Sequence, residues 1–151
     1  MVTKVDGVDG VKGLVERQLG PTDWVTVTQE QVNQFAEATG DHQWIHVDLE
    51  RAAAGPFGGT IAHGYMTLAL IPRFLPELLE VSGFSMGINY GAERVRFPTP
   101  VPVGGRLRAA AVVDEVTDVQ GGLQMQVTVT LELEDNPKPA LVAVVLLRRY
   151  L

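Results

Sequence analysis

Leu123-Gln124-Met125-Gln126-Val127-Thr128-Val129-Thr130-Leu131-Glu132-Leu133 alternates apolar and polar side chains without a break. Successive side chains on a strand point to opposite faces, so the run predicts a β-strand with one face in a core and one in water. Working outward, this strand reaches 134, and runs of similar character fill 86–97, 106–119 and 141–150. Gly121-Gly122 and Asp135-Asn136-Pro137 supply turn chemistry between them. Connections this short predict that successive strands pair antiparallel.

The first half of the chain reads differently. Its first twenty or so residues are Gly-rich and weakly patterned, which fits a loop or a short helix, and Trp24 to Thr28 has the character of a short strand. Thr28 followed by Gln31 matches a capping box, and Val32, Phe35 and Ala36 then share one helical face until Gly40 closes the helix. Asp48 is placed to cap a second short helix through Ala53, stopped by Gly55-Pro56. From Ala62, the stretch through Tyr65, Met66, Leu68, Ala69, Leu70 and Ile71 carries too few charges for a surface helix. It predicts a buried central helix, disturbed at Pro72 and ended near Pro76 or soon after. The expected class is α+β, an antiparallel sheet wrapped around a central apolar helix.

Composition narrows the functional classes. The chain has 151 residues, 46% hydrophobic and 20% charged, without repeats or an interdomain linker, and is read as a single domain over 1–151. No apolar run approaches bilayer length and the N-terminus lacks a signal-peptide pattern, so no membrane role and a cytoplasmic location are expected. The absence of Cys excludes disulfides and thiolate chemistry. A net charge of −6 argues against nucleic acid as a partner. No phosphate-cradling G-x-x-x-x-G-K-[ST] is present and no cofactor is expected. His42 and His46 are four apart, with Asp41, Asp48 and His63 as further metal ligands to weigh. Such a pair binds zinc well on a continuous helix, and Gly40 ends the helix before them, so no metal is expected.

Asp41 and His46 are the candidates for chemistry. They lie past a helix end in a predicted loop, where a turn can bring both onto one water. Histidine changes protonation near neutral pH, and a carboxylate can orient it or share in activating water. The segment 35–48, Phe-Ala-Glu-Ala-Thr-Gly-Asp-His-Gln-Trp-Ile-His-Val-Asp, resembles the signature of the (R)-specific enoyl-CoA hydratases, the MaoC-like dehydratase family. That signature is an aromatic residue, then G-D-x-N-P-[LIV]-H, with a small residue some six positions later. Asp41 and His46 fall on its catalytic pair and Ala52 on its small residue. Gln43 stands where the family usually has Asn, and Trp44 where it usually has Pro, and both are read as substrate-binding positions.

Two further blocks carry the resemblance. Ile61-Ala62-His63-Gly64-Tyr65-Met66 is similar to the family's I-[AV]-H-G segment at the start of the central helix. The resemblance implies that the Gly64 N–H receives the thioester oxygen, a role that free amides at a helix start suit. His63, Pro72 and Leu75 are expected to contact substrate, the last two along an acyl tunnel. The block 94–104, containing Phe97-Pro98, Pro100, Pro102 and Gly104, is similar to the family's F-x-x-P-V-x-x-G turn. The resemblance thus implies a single MaoC-like hot-dog domain that hydrates trans-2-enoyl-CoA to (3R)-3-hydroxyacyl-CoA, or reverses that reaction. It implies an acyl-CoA or acyl-carrier-protein thioester as partner, and a homodimer. A hot-dog acyl-CoA thioesterase is the nearest alternative, but such enzymes usually use a carboxylate or amide on the central helix, and 65–75 carries no Asp or Glu. A non-catalytic acyl-thioester-binding subunit of a heterodimer is the other.

Overall fold

The computed structural model describes residues Met1–Leu151. Its elements in chain order are β1 (Thr3–Asp6), α1 (Gly7–Lys12), β2 (Gln18–Leu19), β3 (Val25–Thr26) and α2 (Gln29–Thr39). Then come α3 (Trp44–Val47), α4 (Leu49–Ala53), α5 (Gly64–Ala69), α6 (Ile71–Leu78) and β4 (Leu79–Ser82). The long strands β5 (Met86–Arg96), β6 (Arg106–Val119), β7 (Gly122–Leu133) and β8 (Leu141–Tyr150) complete the chain.

The four long strands lie within a residue of the bounds their patterning predicts. Along β7 half-buried and buried residues alternate over its whole length, as the quoted run requires. Gly121 and Asp135 take positive φ at the two turns. β6 pairs with β7 and β7 with β8, all antiparallel. The expectation that successive strands pair fails at β5. It pairs with β8 and not with β6, so the sheet runs β2-β6-β7-β8-β5, with β3 also on β6. A second sheet joins β1 to β4 in parallel. Its strands are too short for an alternating pattern to mark them.

Thr28 caps α2 as predicted: its Oγ1 accepts the Gln31 N–H at 3.2 Å, and the Gln31 side chain accepts the Thr28 N–H at 3.1 Å. Gly40 closes α2 at φ 78°, and Asp48 Oδ1 accepts the Arg51 N–H at 3.1 Å to start α4. The predicted central helix is two helices. Pro72 has no N–H to give Leu68, and the chain resets at Leu70, whose N–H reaches both Met66 and Thr67 carbonyls. α6 then runs past Pro76 to Leu78, because Pro72 and Pro76 both stand on the exposed side, where an unbonded carbonyl meets water. The helix pair is buried on one side only. Met66, Ile71, Phe74 and Leu78 enter the core cluster, with the inward residues of β6, β7 and β8, while Tyr65 is 75% exposed. No helix is long and apolar enough to cross a membrane.

Candidate active site

The positive φ of Gly40 turns the chain out of α2 and delivers Asp41 at the surface. Asp41 Oδ1 lies 3.4 Å from the Gln43 amide nitrogen and so closes a small turn. The next segment is not the loop that the sequence predicts. Trp44–Val47 makes one helical turn, α3, and His46 sits inside it with 6% of its surface exposed. Gln29, the first residue of α2, donates to the His46 carbonyl at 2.8 Å and accepts from Thr60 at 2.7 Å, pinning α3 between α2 and the strand-like segment at 60–61.

His46 Nδ1 lies 2.7 Å from the Ile61 carbonyl oxygen. A carbonyl only accepts, so Nδ1 carries the proton and Nε2 keeps a free lone pair. Burial pushes the His46 pKa below the usual 6.5; the Ile61 carbonyl opposes that shift, nearby His63 adds to it and Asp41 opposes it. His63 is 2% exposed, and its Nε2 donates to the Asp41 carbonyl at 2.9 Å. The two imidazoles stack with centroids 3.8 Å apart and planes 23° apart. His42 faces the other way and meets Glu37 at 2.8 Å, which raises its pKa.

Asp41, His46 and His63 thus present side-chain oxygen and nitrogen atoms within 4.8 Å of one another. In principle such a trio can hold a metal or a water. His46 Nδ1 is committed to the Ile61 carbonyl and His63 Nε2 to the Asp41 carbonyl, so each ring keeps one nitrogen lone pair for such an occupant.

A cavity of about 390 Å³ opens beside His46, lined among others by Ile45, Phe57, Gly64, Thr67 and Phe97. Gly64 is the first residue of α5, so its N–H has no acceptor within the helix. A Cβ there would stand 3.4 Å from the Phe97 ring, so the glycine leaves this wall of the cavity open. Of the residues predicted from sequence, the fold gathers Asp41, His46, His63 and Gly64. Gln43 begins α3 as an exposed residue with no side-chain cap bond. Trp44 lies under the Arg51 guanidinium at 4.4 Å and against Gly55, and is not part of this cavity wall. Pro72 lines a different cavity of about 340 Å³ with Leu68, Asn89 and Leu147, and Leu75 a smaller one ending at Arg149. Sequence reasoning misses Gln29, Ile61 and Phe97; a backbone acceptor and a distant brace leave no local signal. The helix extension adds Glu77, but its carboxylate pairs with Arg73 at 3.2 Å, outside this cavity wall.

Residues 11–135 match the family model described as the MaoC like domain. A 3-hydroxyacyl-thioester dehydratase Z of Mycobacterium tuberculosis is 59% identical over 127 residues, 83% of this chain and 84% of that protein. Among solved structures, a monoamine oxidase regulatory protein from Archaeoglobus superposes with a TM-score of 0.78 at 23% identity, covering 100% of this chain and 99% of the other. An unliganded R-hydratase from Pseudomonas aeruginosa gives 0.70 at 23% identity, covering 90% and 81%. The two structural likenesses speak to the fold, which is the hot-dog fold; the matched segment and the 59% relative speak to descent. The chain belongs to the MaoC-like dehydratase family of enzymes.

Proposed function

We propose that this protein adds water to trans-2-enoyl thioesters to give (3R)-3-hydroxyacyl thioesters, and catalyses the reverse dehydration. The observation that carries the reading is the free Nε2 of His46, beside the Asp41 carboxylate and in the wall of a cavity that Gly64 also lines. Asp41 and His46 hold a water and take up its proton as its oxygen adds to C3, and one of them delivers a proton to C2. The Gly64 N–H receives the thioester oxygen and stabilises the negative charge that develops there. The 3-hydroxyacyl-thioester dehydratase named above supports this substrate class, and the R configuration follows the family pattern. The carrier is CoA or an acyl-carrier protein.

Asp41→Asn and His46→Gln, assayed with crotonyl-CoA, are expected to lose at least about 100-fold in kcat, the lower range for removing a general acid–base group. Near-parental rates in both folded variants would overturn the assignment. Thiol release by the parent protein would point to a thioesterase instead, and no reaction at all to a binding subunit.

The working form is a homodimer in this reading. Met86, Ile88 and Tyr90 are exposed along β5 at the edge of the sheet, and Phe57, Tyr65 and Phe97 are exposed around the cavity. Apolar side chains grouped in this way fit a surface covered by a second copy.

A further inference from the structure

Three parts of the site meet at His63. Its backbone is the N-cap of α5, so the next amide is that of Gly64. Its Nε2 holds the carbonyl of Asp41, at the far end of the site in sequence. Its ring stacks on His46 at 3.8 Å, with Phe35 of α2 tilted at 4.9 Å on the ring. The side chain is almost wholly buried, and its Nδ1 has no hydrogen-bond partner among protein atoms. A buried ring nitrogen left unpaired costs free energy, and an apolar ring of similar size would fill the same space without that cost. Packing alone therefore does not explain an imidazole here.

We propose that His63 is a positioning residue, which locks the Asp41 backbone and the His46 ring in register with the Gly64 amide. The inference rests on the hydration reading above and deepens it. Asp41 comes from a surface turn and Gly64 from the start of a helix in another part of the chain; His46 Nδ1 ties the next helix to the Ile61 carbonyl, and His63 Nε2 is the side-chain bond that reaches Asp41 itself. The groups facing His46 are Asp41 from the α2–α3 turn, His63 from the α5 cap and the Ile61 carbonyl; Glu37 on α2 is engaged by His42. His63 therefore donates from Nε2 while His46 donates from Nδ1, and the stack holds the reactive His46 nitrogen at a fixed angle to the Asp41 carboxylate.

Two variants and one measurement on the unaltered protein test this. His63→Phe keeps a ring for the stack and loses the donor. It is expected to lower kcat with crotonyl-CoA by about 10- to 100-fold, the scale of an ångström of misplacement, while KM stays within about threefold. His63→Gln, whose amide N–H can reach the same carbonyl, should recover part of that loss. Ring-nitrogen NMR of the unaltered protein, which has only three histidines, should find His63 protonated at Nε2 and His46 at Nδ1. A folded His63→Phe with kcat within twofold of the parent overturns the proposal, as does a His63 protonated only at Nδ1; if the Phe variant does not fold, the NMR result decides. Should Asp41→Asn and His46→Gln abolish activity while His63→Phe does not, this inference alone falls and hydration stands. If those two retain activity, both readings fall together.

Discussion

In the proposed chemistry His46 acts through one nitrogen, and that nitrogen must be unprotonated. Burial holds its pKa below 6.5, so at neutral pH the base form dominates. The rate should therefore be flat through pH 7 and fall only below the ordinary imidazole range, as a pH profile of kcat/KM would read. The same group makes the fold acid-sensitive. The folded state binds this proton more weakly than the unfolded chain, so stability is complete above the unfolded value of about 6.5. This contribution declines as pH drops from there towards the lower folded value; His42, whose pKa is raised, works against it, so urea midpoints of the parent and of His46→Gln compared at pH 7.5 and 5.5 isolate it. Gly64 allows a sharper test of the amide. Proline suits the first position of a helix, and His63 already has the φ −61° and ψ 141° that a residue before proline prefers. Gly64→Pro is expected to fold while losing at least about tenfold in kcat, the N–H having been removed; an active variant would clear that amide of any role. Asp41, His46 and Gly64 are readable from spacing and resemblance. The stack of His46 on His63 is not, because sequence order gives no angle between rings that a fold brings together from separate segments.

At the scale of elements, legibility depends on length. The capping box of α2 and the alternation in β7 each span enough residues to leave a pattern. α3 has four residues and none of the usual start signals, so its sequence reads as loop. Its weakness has a cause: the family pattern has Asn then Pro where this chain has Gln43 then Trp44, and those are good N-cap and first-turn residues. Gln43 already has the extended backbone of an N-cap, at φ −58° and ψ 140°, without a side-chain bond. Gln43→Asn should therefore stabilise the protein by about 0.5–1 kcal/mol in denaturant unfolding. A loss of stability would show that the Gln43 side chain is used elsewhere. The break at Leu70 is legible in Pro72 and the end of α6 at Leu78 in Pro76, while how far the helix runs on past that proline depends on whether the freed carbonyl meets water.

At the scale of the molecule, the core is one apolar layer between the sheet and the paired helices α5 and α6, and Leu131 lies fully buried in it. Leu131→Ala should cost about 2–5 kcal/mol and lower the thermal midpoint without altering KM for the variant that remains folded. Light scattering of the parent should give twice the chain mass, and Ile88→Arg on the exposed face of β5 should shift it towards one chain. A monomeric, fully active parent would remove the homodimer from the reading. The order of strands is not legible in the sequence, because pairing between β5 and β8 is set by closure of the whole sheet and not by a turn.

That pairing has a consequence for the birth of the protein. On a ribosome β5 emerges well before β8, and β8 is the strand that joins it to β7. Until β8 has emerged, the nascent chain carries a β5 with neither edge paired, open to chaperones or to a neighbouring polysome. A stop codon before Leu141 would leave that strand without a partner for good.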